Sequence, residues 1–211
     1  MSQDTTSAAP AAITATIDRA SLTAADYKEL LRPLVEKALV FEPTVLASGA
    51  TSSFYFDGKM VTLLAEGANY FAHYLMKHIP VDEYDAIGGL TMGADPIASA
   101  VSAISFEVGS PKTAFYVRKA QKDHGRRKRI EGPLVSGSRV VVVDDVATSG
   151  GSIMDAIVAV EEELGCKVTR VVALVDRQQG ARELFESRGY LFDPVFSAEE
   201  LGVPVDVIKA R

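Results

Sequence analysis

Two stretches of the sequence place reactive residue types at spacings that folding alone explains poorly. The first is Arg139 to Ser152, RVVVVDDVATSGGS, where four valines run into Asp144 and Asp145 and then into a Thr/Ser/Gly-rich turn. Valine runs belong inside a sheet, whereas adjacent carboxylates repel and seek water. A strand-end aspartate that caps the next helix explains one acid but not two. The second is Arg118 to Arg129, RKAQKDHGRRKR, with seven Lys/Arg against one Asp. The chain carries −6 overall, so this +6 island leaves −12 on the remainder. A basic island on an acidic protein points to a specific anion, with a solvated charged loop as the alternative reading.

The turn after the acidic pair offers backbone N–H groups, two hydroxyls and two glycines just where a helix begins. A helix N-terminus is electropositive and favours phosphate. The neighbouring carboxylates can accept hydrogen bonds from sugar hydroxyls or hold a hydrated Mg²⁺. A phosphate cradle beside a diol or metal acceptor describes a site for a ribose phosphate. Neither G-x-x-x-x-G-K-[ST] nor G-x-G-x-x-G occurs at this turn, which excludes a P-loop and a dinucleotide fingerprint there.

The surrounding pattern supplies elements to position these residues. Residues 21–40 read as a helix, with Leu30, Leu31, Leu34, Val35, Ala38 and Leu39 at helical spacing and Ser21 or Thr23 as cap. A short strand is expected at 54–57 and a helix at 66–78. Strands at 85–90, 113–117, 139–145 and 168–176 then alternate with helices at 96–105, 152–165 and 180–189. A last edge strand is expected at 190–196. Alternating strands and helices with continuously apolar strands predict a mostly parallel sheet covered on both faces, an α/β fold. In such sheets ligands bind beyond the carboxyl ends of the strands, where Asp144 and Asp145 are expected to end theirs. Residues 1–20 read as a flexible tail and 21–211 as a single domain, with about 21–60 forming a small cap.

Other features narrow the function class. The single cysteine, Cys166, excludes an internal disulfide and fits a reducing, cytoplasmic setting. No apolar run approaches the ~20 residues that span a bilayer, and the first twenty residues lack the pattern of a secretory signal. RRKR lacks interleaved aromatics on an acidic chain, which argues against nucleic acid. His73 and His78 have no partner at metal-ligand spacing and read as structural.

VVVVDDVATSGGS resembles the phosphoribosyl pyrophosphate (PRPP) motif of the type I phosphoribosyltransferases: four apolar residues, two acids, then a T-S/T-G-G-S/T turn. RKAQKDHG (118–125) matches the loop signature R-K-x-x-K-x-H-G of the orotate phosphoribosyltransferases at every fixed position, and KRIEG (128–132) continues it. SGATSSFYFDGK (48–59) is similar to their S-G-x-x-S-x-Y-F segment, and VDRQQGARE (175–183) to their D-R-x-x-G turn. These stretches span most of residues 45 to 190. The resemblance implies a type I phosphoribosyltransferase fold with a small N-terminal hood. It also implies transfer of the phosphoribosyl group from PRPP to orotate, a step of de novo pyrimidine biosynthesis. A phosphoribosyltransferase for another base, or a non-catalytic PRPP sensor, remains the alternative.

Carried onto this sequence, the resemblance implies that Arg118, Lys119, Lys122 and His124 meet pyrophosphate, with Lys119, Lys122, His124 and Asp145 as the catalytic set. The proton donor, Lys122 or His124, is left open. Asp144 and Asp145 would take the ribose hydroxyls, and Ala147, Thr148, Ser149, Gly150 and Gly151 the 5′-phosphate. Arg177 and Thr148 would hold orotate, with Tyr55 and Phe56 against its ring or, alternatively, in the hood core. Mg²⁺ is implied, held by PRPP and water rather than by direct protein ligands. A homodimer is implied too, with loop 118–129 covering the partner subunit's site. The sequence departs from the bacterial pattern at Gly93 and Ala47, where that pattern carries lysines. Lys59, Arg126 and Arg127 are the candidate cations to replace them.

Overall fold

A computed structural model of the chain describes residues 21–41, 44–45, 51–52, 54–119 and 129–209. The expected tail, Ala47, Lys122, His124, Arg126 and Arg127 lie outside the described residues.

The chain begins with α1 (Ala24–Lys37) and two short pairings, β1 (Leu39–Val40) with β4 (Tyr55–Phe56) and β2 (Thr44–Val45) with β3 (Thr51–Ser52). It continues through α2 (Lys59–Thr62), α3 (Ala65–His78), β5 (Ala86–Leu90), α4 (Asp95–Glu107), β6 (Thr113–Val117) and β7 (Ile130–Glu131). Then come β8 (Arg139–Ala147), α5 (Gly151–Leu164), β9 (Lys167–Asp176), α6 (Ala181–Ser187), β10 (Phe196–Ser197) and α7 (Val205–Lys209). The main sheet has the order β10-β9-β8-β5-β6-β7 and is parallel except for β7, which runs antiparallel to β6.

The valine run explains the centre of this sheet. Val141 and Val143 face a layer built from α1, α3 and α4, where Leu31, Val35, Phe71, Leu75, Ile97 and Val101 pack. Val140 and Val142 face α5 and α6, against Ile153, Ile157, Val160 and Phe185. All four valines are fully buried, which at ~1.5–3 kcal/mol per side chain fixes β8 rigidly. A small cluster of Phe54, Ala198, Val203 and Ile208 joins the segment before β4 to the C-terminal residues.

Thr23 is the cap of α1: its hydroxyl accepts from the Asp26 N–H at 3.2 Å, and the Asp26 carboxylate accepts from the Thr23 N–H at 2.7 Å. His73 stacks on Tyr27 at 5.0 Å and His78 Nε2 lies 2.8 Å from Asp193, so both are structural. Burial pushes the Cys166 thiol pKa up, leaving it unreactive in the core.

Two expectations need correction. The acidic pair does not end its strand: β8 continues to Ala147, because Val146 and Ala147 stay in register with Val175 and Asp176 of β9. The edge strand expected at 190–196 is reduced to β10 and one isolated bridge between Phe192 and Val171. The Asp193 and Val195 N–H groups still donate to Val171 and Ala173 of β9. Pro194 falls between them, where an edge residue needs no donor.

Candidate active site

The turn from β8 into α5 forms a small pocket of about 90 Å³ lined by residues 146–153. Gly150 precedes the helix at φ 81° and no side chain caps it, so the first N–H groups of α5 face the pocket unclaimed by a cap. A Cβ at Gly150 would also strike Phe185 at 2.8 Å, so glycine is required there for space as well as for backbone. The pocket is tied to β9 and α6, since the Arg177 N–H donates to Ala147 O and the Ala181 N–H to Thr148 O. Its position at the carboxyl edge of the central strand is where the sheet's connections diverge.

Asp144 and Asp145 sit immediately before this pocket, 8% and 7% exposed. The Asp145 N–H donates to Asp144 Oδ1 at 3.0 Å. Burial, and then the charge of Asp145, push the Asp144 carboxyl well above its ordinary pKa. The pair is boxed in by two glycines: a Cβ at Gly93 would lie 1.8 Å from Asp144 Oδ1, and one at Gly58 would lie 2.6 Å from Asp145 Cβ. Lys59 Nζ donates to Asp145 Oδ2 at 3.2 Å and brings a positive charge to the pair.

On the far side of Lys59 opens a larger cleft of about 690 Å³, lined by Lys59, Thr91, Met92, Tyr116, Arg118, Lys119 and Glu131. Arg118 and Lys119 leave the end of β6 and are exposed. The basic stretch is an excursion between β6 and β7 whose ends are pinned together. The Arg118 N–H donates to Arg129 O at 2.9 Å, and Arg129 Nε donates to Arg118 O at 3.2 Å. Arg118 Nη1 also pairs with Glu131 at 3.5 Å.

Along the chain before α2 the side chains alternate. Phe56 is 2% exposed and belongs to the main core, whereas Tyr55 is 38% exposed. Of the two candidate ring contacts, only Tyr55 is open to a planar ligand; Phe56 takes the core alternative. Arg177 lies at the end of β9, 3% exposed, with its guanidinium 4.5 Å from the Phe54 ring centroid and Nη2 donating to Phe54 O at 3.1 Å. Burial lowers its pKa, although an arginine stays charged. Arg177 is thus covered, with Phe54 stacked against its guanidinium.

Residues 63–189 match the phosphoribosyl transferase domain family. The chain is 44% identical to the orotate phosphoribosyltransferase of Synechocystis sp. over 158 residues, which cover 74% of this chain and 79% of that protein. The enzyme of that name from Streptomyces avermitilis is 40% identical over 175 residues, covering 82% of this chain and 96% of that one. The chain belongs to the orotate phosphoribosyltransferase family. Among solved structures, the Mycobacterium tuberculosis orotate phosphoribosyltransferase in complex with PRPP superimposes with a TM-score of 0.68 at 36% identity, covering 84% of this chain and 99% of that chain. The sheet flanked by helices is accordingly the type I phosphoribosyltransferase fold.

For a member of the orotate phosphoribosyltransferase family, the structure places Asp144, Asp145 and residues 147–151 at the end of β8 and Arg118 and Lys119 at the end of β6, with Lys59 reaching both groups. Phe54 had no assigned role in the sequence, although the alternation Phe54–Tyr55–Phe56 signals an inward Phe54. Glu131 of the cleft lies in the KRIEG stretch that continues the loop signature, whereas Tyr116 carries no sequence signal of its own. No helix among the described residues is long and apolar enough to cross a membrane.

Proposed function

We propose that the protein catalyses transfer of the 5-phosphoribosyl group from PRPP to orotate, giving orotidine 5′-phosphate and pyrophosphate. One observation carries this: a phosphate-sized pocket, a buried carboxylate pair and a cationic cleft follow one another in space. The order matches the 5′-phosphate, the ribose diol and the pyrophosphate of PRPP.

Residues 147–151 hold the 5′-phosphate at the start of α5. Asp144 and Asp145 accept hydrogen bonds from the ribose hydroxyls, which offset the cost of keeping two carboxylates buried together. In the reaction the bond from C1 to orotate N1 forms as N1 gives up its proton to solvent, and the bond from C1 to the pyrophosphate oxygen breaks. The electron pair leaves on pyrophosphate, through an oxocarbenium-like state. Arg118 and Lys119, with Lys122 and His124 of the same loop, place positive charge where leaving-group charge grows, which favours the transition state over the ground state. The proton on the departing pyrophosphate comes from Lys122 or His124. A loop that closes over the site excludes the water that would hydrolyse the activated sugar. It covers the site of a partner subunit in a homodimer.

Orotate is a planar anion, and the fork of Arg177 suits its carboxylate once the Phe54 segment lifts. Thr148 and the exposed Tyr55 complete the orotate contacts. Two adjacent carboxylates are too few to cage a resident Mg²⁺, but they suit an ion that arrives on pyrophosphate with its own waters. With one buried cysteine and a biosynthetic reaction, the protein works in the cytoplasm. The test is PRPP- and Mg²⁺-dependent consumption of orotate set against uracil and adenine. Turnover of another base in place of orotate would overturn the assignment of the base.

A further inference from the structure

Lys59 has no part in the reaction as described above, yet it touches both halves of the site. It opens α2, a helix of only four residues, held down by the burial of Val61 and Thr62. Asp57 Oδ1 accepts from the Lys59 N–H at 3.2 Å, which fixes where the side chain starts. Its ammonium lies 3.2 Å from Asp145 Oδ2, while the side chain, 43% exposed, lines the same cleft as Arg118 and Lys119. Burial draws its pKa down, but Asp145, Asp144 and Asp57 more than reverse this, so the ammonium stays charged.

The turn after β5, which also meets the acidic pair and lines the same cleft, carries no cation. Gly93 stands there, and a Cβ on it would collide with Asp144 Oδ1 at 1.8 Å. No lysine can be grafted at that position while Asp144 keeps its place. Lys59 comes instead from the hood side. A half-exposed ion pair is weak, and lysine is a flexible point charge that can exchange one anion for another. Ribose hydroxyls or a hydrated cation on Asp145 would release it toward the cleft.

We propose that Lys59 is a pyrophosphate-binding residue, held on Asp145 in the free protein and handed to the pyrophosphate of PRPP when the ribose reaches the carboxylate pair. The proposal rests on the reading above and adds the cation that the Gly93 turn lacks.

The experiment is calorimetric titration of wild type, Lys59→Met and Lys59→Arg with two separate probes, Mg²⁺-pyrophosphate and ribose 5-phosphate. The proposal expects Lys59→Met to weaken pyrophosphate about tenfold or more and ribose 5-phosphate by no more than about threefold, with Lys59→Arg restoring most of the loss. Unchanged pyrophosphate affinity overturns it. So does equal loss of both probes, which would make Lys59 only a counter-ion of the acidic pair. If Lys59→Met melts below the assay temperature, Lys59→Gln, which keeps a donor to Asp145 without the charge, is titrated in its place and read the same way. Neither probe involves a base, so these titrations stand whatever base is used. Orotate turnover by wild type with pyrophosphate affinity untouched in Lys59→Met would overturn the role of Lys59 alone.

Discussion

Gly93 and Asp144 are so close that a single added carbon on Gly93 would lie 1.8 Å from the Asp144 carboxylate. The carboxylate pair is therefore held in a slot whose walls are backbone. Gly93→Ala should push Asp144 aside, at a cost of about 1–3 kcal/mol typical of overpacking. The expected result is a PRPP KM raised about tenfold or more in a protein that still folds. A KM equal to wild type would mean that Asp144 does not need its present position.

Asp144 also makes the site costly to the fold. Its carboxyl titrates above the ordinary value of 3.8 because it is buried and faces Asp145. Between 3.8 and that raised value the folded protein keeps a proton that the unfolded chain has released, so stability falls as pH rises through this window. Asp144→Asn removes the titration. The variant should melt above wild type at pH 7, with the gap closing as pH falls toward 4, while PRPP binding weakens. Melting curves from pH 4 to pH 8 measure the first effect and a PRPP titration the second. A variant less stable than wild type at pH 7 would make Asp144 a structural residue.

Lys119 is exposed where the basic excursion leaves β6, so removing its side chain should not disturb the core. Lys119→Ala is expected to lower turnover about 10²- to 10³-fold, the scale of losing one group aimed at developing charge. Its far-ultraviolet circular dichroism should match wild type. Unchanged turnover would remove this position from the chemistry.

Arg177 joins β9 to the Phe54 segment by a stacked guanidinium and a 3.1 Å hydrogen bond. Arg177→Lys keeps the charge and loses both the plane and the fork. It should cost about 1–2 kcal/mol of stability and raise the orotate KM while leaving the PRPP KM near wild type. Equal changes in the two KM values would place Arg177 in the scaffold only.

Much of this was legible in the sequence for a physical reason. Four consecutive valines have one comfortable place, the middle of a doubly covered sheet, and the glycine-rich turn after them had to begin a helix. What escaped the sequence depends on contacts between distant residues. The ion pair between Lys59 and Asp145 spans 86 positions, and the need for glycine at 93 exists only because Asp144 lies against it. β8 runs past its acids because β9 pairs with it that far, a fact of register rather than of local pattern. Strands of two residues such as β7 are no longer than one period of alternation and leave no signature. The outward Tyr55 and inward Phe56 follow from strand alternation, but which face met the core was set by α1, α3 and the rest of the molecule.

The central claim is the reaction itself, and orotate's own ultraviolet absorbance reports it. With purified protein, Mg²⁺ and orotate, the account predicts no change until PRPP is added. Absorbance should then fall as pyrophosphate appears in equal amount, and Asp144→Asn combined with Asp145→Asn should suppress the fall. No PRPP-dependent loss of orotate, in a preparation that turns over another base, would contradict it.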